Sequence, residues 1–196
     1  AAAPDKPFSL HDAAKRVLGA FLRSQHQPRG TCVSRGAKRA VDLNQCVAIA
    51  AGEPLEFKYV SHAYIYGTCR EHGGGLGPRD GAMGAWAAWS VANDGNLTAE
   101  ELGHDDNDDR LAVEWGWRGV PRDIKPRGKL HLVKRVAQAR TFDEVRDALA
   151  VLGTKATKNL VIYLSTRTLT PTAKSDAFKK HLNQYPIFAA LFAQRL

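Results

Sequence analysis

A chain of 196 residues that is 44% hydrophobic and 24% charged has the length and composition of one soluble globular domain able to bury a core. No apolar run approaches the roughly 20 residues that cross a bilayer, so membrane insertion is not expected, and three cysteines are too few for a disulfide-built scaffold and cannot all pair within the chain. The formal charge of +8 admits anionic partners, nucleic acid among them, but the basic residues are spread out and form no nucleic-acid-binding motif.

The opening Ala1-Ala2-Ala3-Pro4 lacks the basic and apolar regions of a signal peptide, which leaves the compartment open. Ser9 and Asp12 then predict a helix start, with Leu10, Ala13, Ala14, Val17, Leu18 and Phe21 as its apolar stripe. After a polar loop holding Pro28 and Gly30, a second helix is expected from about Cys32 to Ala51, with Val33, Ala37, Val41 and Ala48 on one side. Cys32 would fall on its first turn. The stretch Asp80 to Asn93 predicts a buried helix that takes Trp86 and Trp89 into the core and stops at Gly95. Thr98 with Glu101 and Thr141 with Glu144 both fit capping boxes, while the acids from Glu100 to Asp109 suit a solvated loop or helix N-terminus. Lys129 to Val136 could form an exposed strand, and Asn159 to Ser165 is the strongest strand signal. A helix from Thr170-Pro171 and an apolar segment, Ile187 to Phe192, complete the chain.

A cysteine on a first helical turn meets the positive end of the helix dipole, which favours thiolate over thiol and makes the sulfur nucleophilic. Burial as a small hydrophobe is the competing role for such a residue. The text around Cys32, Gln25-His26-Gln27-Pro28-Arg29-Gly30-Thr31-Cys32, resembles the signature of the papain-like cysteine peptidases, a glutamine ahead of a Gly-x-Cys that opens a long helix. Three later segments resemble that family in the right order. They are Val60-Ser61 through Cys69, Asp80-Gly81 through Gly95, and Lys129 to Val136 with the Thr141 to Leu149 helix. A narrower likeness, carried by Gly84-Ala85-Trp86-Ala87-Ala88 and Trp115-Gly116-Trp117-Arg118-Gly119-Val120-Pro121, is to papain-like proteins of tailed phages and environmental bacteria.

The resemblance implies an α+β, papain-like fold. Residues 1–150 would be a domain with its helical, nucleophile-bearing half intact, and residues 151–196 a divergent segment of strand plus helices in place of the β half. It implies Cys32 as nucleophile, Gln27 with the Cys32 amide as oxyanion donors, and Gly81 as the substrate-binding position. The spacing departs from the family, since Gln27 stands five residues before Cys32 where six is usual, and Gln25 stands seven before. No histidine matches the family's general base: His181 falls on the polar side of an expected helix, and His26, His62, His72, His104 and His131 lack the pattern. With no Cys-x-x-Cys or paired-histidine motif and no calcium-loop pattern among the acids, neither metal nor cofactor is expected. The expected function is thus a cysteine peptidase or amidase acting on a peptide or protein. The alternatives are an inactive papain-like scaffold for binding or assembly, virion-associated or cytoplasmic, and a basic anion- or nucleic-acid-binding module.

Overall fold

The computed structural model describes residues 10–23, 26–133, 136–139 and 161–164. They form α1 (Leu10–Leu18), α2 (Cys32–Ala50), α3 (His62–His72), α4 (Gly84–Asn93), the short α5 (Ala99–Leu102), α6 (Asp109–Arg118), and α7 (Lys125–Gly128) running into a 3₁₀ turn at Lys129–His131. The four-residue strands β1 (Val136–Ala139) and β2 (Val161–Leu164) pair in parallel, Val136 opposite Val161 and Ala139 opposite Leu164.

The α+β, papain-like architecture expected from the sequence is therefore corrected: the described residues are predominantly helical, with strand confined to β1, β2 and an isolated antiparallel bridge between Val60 and Thr98. Part of the reason lies in Lys129 to Val136. Pro126 fits the start of α7, where its missing N–H costs nothing, and Gly128 tucks beneath Tyr64, so the chain coils through His131 and β1 begins at Val136. Of the Asn159 to Ser165 strand, Val161–Leu164 forms β2, while the Thr141 capping box, the Thr170-Pro171 helix and Ile187 to Phe192 lie outside the described residues.

Helix α3 is the centre of the fold. Every residue from His62 to Arg70 is buried, because α2, α4 and α6 all pack on it. Ser61 caps it by accepting from the Tyr64 N–H at 3.4 Å. On one side Ile65 and Cys69 meet Val33, Ala37 and Val41 of α2 with Ala87 and Val91 of α4; on the other Ala63, Tyr64 and Tyr66 meet Ala112 and Trp115 of α6. The α2 stripe is read correctly from its spacing, except that Ala48 is only half-buried. Helix α1 ends at Leu18, with Ala13 and Ala14 against Leu43 and Cys46 of α2 and Phe21 left 57% exposed. The α4 helix starts four residues later than expected. Trp86 lies half-buried against Gly73 and Gly75, whereas Trp89 is 41% exposed and stacks on His72, with ring centroids 3.5 Å apart. Trp89 is therefore no core residue.

The α3–α6 seam depends on glycine. A methyl group at Gly67 would stand 2.6 Å from Val120 Cγ2 and 2.8 Å from Trp115 Cβ, neither of which can swing aside like the end of a long side chain. Alanine favours a helix over glycine by about 1 kcal/mol, while overpacking costs about 1–3 kcal/mol. Gly67→Ala is accordingly expected to destabilise the protein by about 1 kcal/mol in urea unfolding, and a stabilised variant would show that α3 and α6 are not in such close contact.

Candidate functional site

Cys32 is the first residue of α2 and is partly exposed. The segment before it is held by a Thr31 N–H to Arg29 carbonyl bond of 2.8 Å and by Arg39, which donates to the Leu22 and Arg23 carbonyls at 2.6 and 2.8 Å. Thr31 occupies the cap position, but its hydroxyl accepts from Arg35 Nε at 3.1 Å and makes no bond to the first-turn amides. The leading N–H groups of α2, that of Cys32 included, have no acceptor within the helix.

The other thiols are unlike Cys32. Cys46 and Cys69 are both fully buried, and burial pushes their pKa values up to about 11 and about 12. All three cysteines are free.

Gly81 is brought to the Cys32 loop. A Cβ on Gly30 would lie 2.8 Å from Asp80 Cβ and 3.1 Å from the Gly81 nitrogen, and Cys32, Ala82 and Trp86 border the same core cluster. The glycine segment is clamped from beneath by α3. Arg70, 2% exposed, donates to the Tyr66 hydroxyl and to the carbonyls of Gly75, Gly77 and Gly81, and Tyr66 Oη accepts the Gly81 N–H at 2.9 Å. The Gly81 N–H is thus engaged inside the protein. What Gly81 offers a ligand is open space, since its φ of +103° suits glycine and nothing lies within 4 Å of its missing Cβ.

Gln27 is exposed and its side-chain amide donates to the Arg29 carbonyl at 2.8 Å, folding back onto its own loop. It also lines a cavity of about 780 Å³ that has Arg23, Arg39 and Tyr59 on its wall and not Cys32. Gln27 and Cys32 are joined by the loop without sharing this cavity.

Beside that cavity runs a charged network along α2. Lys38 is 5% exposed and pairs with Asp42 at 2.5 Å and with Asp106 at 2.8 Å; Asp42 also accepts the Val60 N–H at 3.1 Å. Burial opposes the Lys38 charge, but the two carboxylates outweigh it and raise its pKa. Arg35 grips both Asp109 oxygens at 2.9 Å and also donates to Asn107. Asp108 caps α6, so the acidic run is a helix N-terminus as expected, yet Asp106 and Asp109 are spent on α2 instead of on solvent. This network was missed in the sequence, where only the four-residue spacing of Lys38 and Asp42 hinted at it.

His62 sits at its edge, fully buried. Neither ring nitrogen closes a hydrogen bond of normal geometry, although the Asn107 backbone lies beside it and Asp109 Oδ1 is 3.9 Å from Nε2. Desolvation, reinforced by Arg35, lowers its pKa to about 4. His11, His26, His72 and His104 are exposed, His131 bonds Glu101, and His181 lies outside the described residues. Among the described residues no imidazole is hydrogen-bonded to Cys32, and no cluster of histidine, cysteine and carboxylate side chains could hold a metal ion. No helix there is long and apolar enough to cross a membrane.

No family model, curated protein or solved structure matches this chain.

His62 makes stability depend on pH. The folded state keeps it neutral down to about pH 4, whereas the unfolded state protonates near 6.5, so the unfolded state binds the extra proton first. Stability is full above pH 6.5 and falls as pH drops towards 4, by about 3 kcal/mol for this group alone. Urea unfolding at pH 7.5 and pH 4.5 should show the loss, and His62→Gln should flatten that part of the profile. An unchanged slope in the variant would mean that other groups carry it.

Proposed function

We propose that Cys32 is a nucleophilic thiol of the cysteine peptidase and amidase class, taking an acyl group from a peptide or amide carbonyl. The observation that carries the reading is its placement: it opens a 19-residue helix at a partly exposed position, while the two other thiols are sealed in the core. In the reaction the thiolate adds to the carbonyl carbon, and the Cys32 N–H is the nearest backbone donor to the oxyanion that develops. Collapse breaks the C–N bond, the amine leaves with a proton taken from solvent water, and a second water cleaves the thioester to the carboxylic acid and the free thiol. For Gln27 to be the second oxyanion donor its amide must leave the Arg29 carbonyl and turn towards Cys32. Gly81 supplies an open approach beside the sulfur's loop.

A second reading has its own support. Expelling the amine requires a proton donor, and general acid–base catalysis contributes about 10²- to 10⁴-fold. Among the described residues no imidazole is bonded to Cys32, which favours a protein that keeps a reactive thiol yet serves for binding or assembly.

The two readings part in one experiment. Iodoacetamide at pH 8 should modify one thiol per native chain, at Cys32, and three after denaturation, with native labelling abolished in Cys32→Ala. Labelling spread over Cys46 and Cys69, or none in the native protein, would remove the reading. Turnover of a mixed peptide library by wild type no faster than by Cys32→Ala would leave only the binding role. Robust hydrolysis lost in that variant would establish the enzyme.

A further inference from the structure

The outward face of α6 is chemically distinct from the rest of the helix. Its inner side buries Ala112, Trp115 and Gly116, while Trp117, 48% exposed, stands in a groove of about 540 Å³ with Arg29, Arg110, Glu114 and Arg118. An indole half in water is an amphipathic platform without a partner in the fold. Among the described residues none of the three arginines enters an ion pair. The groove's other acid, Asp109, is already held by both Arg35 contacts, so three uncommitted guanidinium groups face one uncommitted carboxylate.

The groove is also close to Cys32. Arg29 precedes the cysteine by three residues, a reach of at most about 11 Å between their Cα atoms, and the Thr31 N–H to Arg29 carbonyl bond shortens the path further. Arg35, one turn into α2, is tied to Asp109 at the start of α6, which fixes the two helices to each other at this point.

The spacing selects among anions. Arg110 and Arg118 are two helical turns apart, about 12 Å along the axis, with Glu114 between them. A nucleic-acid strand, charged at every phosphate, would bring a negative group against Glu114. An extended peptide advances about 3.3 Å per residue, so acids four residues apart can reach Arg110 and Arg118 while an uncharged residue passes Glu114 and lies on Trp117.

We infer that this groove docks extended peptide segments bearing two acidic side chains about four residues apart with an apolar or aromatic residue between them. Such segments are then the substrates or ligands delivered to Cys32, a step that rests on the reading of Cys32 above.

Two arms separate the ideas. In the first, the fluorescein-labelled peptide Glu-Ala-Phe-Ala-Glu is titrated by anisotropy into full-length Cys32→Ala, so no chemistry is needed. It should bind more weakly as salt rises, and adding Arg110→Glu with Arg118→Glu, or Trp117→Ala, should weaken it by about tenfold or more. Lys-Ala-Phe-Ala-Lys should not bind. A Lys peptide that binds equally, or surface variants that leave binding unchanged, would overturn the proposal; so would a thymidine oligonucleotide that competes as well as the acidic peptide, by making the groove a nucleic-acid surface. In the second arm, both peptides carry a chloromethyl ketone whose chloride the Cys32 sulfur displaces, with iodoacetamide as the control for thiol reactivity. Faster alkylation of wild type by the acidic peptide is expected. Equal rates would detach the groove from Cys32, and failure of iodoacetamide to label Cys32 would overturn the thiol reading while the first arm still judges the groove.

Discussion

The Lys38–Asp42 pair is the constraint on which the helical arrangement depends. Two opposite charges, 5% and 1% exposed, lie in one turn of α2, and neither tolerates burial alone. Removing one partner of such a pair costs about 3–5 kcal/mol because the other charge is stranded. Asp42 uses its second oxygen on the Val60 N–H, which holds the chain where it turns into α3, and Lys38 reaches on to Asp106, which draws the acidic loop over α2. Arg35 repeats the device one turn earlier through Asp109. Against well-packed apolar residues these pairs need not add stability; they set where α2, α3 and α6 meet, and with that the position of the Cys32 turn.

A second clamp governs the glycine segment. Arg70 ends a fully buried run of α3 and spends its guanidinium on three backbone carbonyls and a tyrosine hydroxyl, so a loop rich in glycine has one shape despite its intrinsic freedom. Gly81 therefore meets the Cys32 loop because of an arginine eleven residues earlier. A five-donor fork that is nearly satisfied by the protein itself is positioning the loop, and lysine could not reproduce that geometry.

The sequence made the apolar skeleton legible and hid the polar one, for a physical reason. Val33, Ala37 and Val41 carry a helical period that only burial explains, and Thr98 with Glu101 forms the capping box its spacing announces. Ser34, Lys38, Asp42 and Gln45 carry the same period one position along, and polar residues at helical spacing read as a solvent face. Ser34 bonds the Thr31 carbonyl within its own turn, while Lys38, Asp42 and Gln45 are buried because long-range partners, Asp106 and the Lys58 and Val60 backbone, neutralise or bond them, and local pattern holds no trace of such partners. Trp89 fails in the opposite sense. Alanines around it suggested a core helix, yet α4 turns that face outward to stack on His72. The α+β expectation erred where strand propensity at Lys129 to Val136 lost to Pro126 and to the tight seat of Gly128 under Tyr64. Of the candidate site, the position of Cys32 at the start of α2 was readable from the pattern; the fold-back of Gln27 and the charged wall beside it were not.

The same charged network bears on whether Cys32 can do more than react. His62 is the imidazole that shares the surroundings of Arg35, the residue one turn into the Cys32 helix. A general base works best with a pKa near the working pH, and His62 has been driven to about 4 by burial and by the cations at its side. It would hold a proton taken from a thiol only at a large cost, and it has little solvent through which to pass that proton on. Burial first, and then the cations that anchor Asp106 and Asp109 and so fix the helix of Cys32, lower the pKa of this histidine. Within the described residues, the ion pairs that fix the helix of Cys32 also hold two cations beside the buried His62, so anchoring that helix and keeping a basic imidazole there oppose each other.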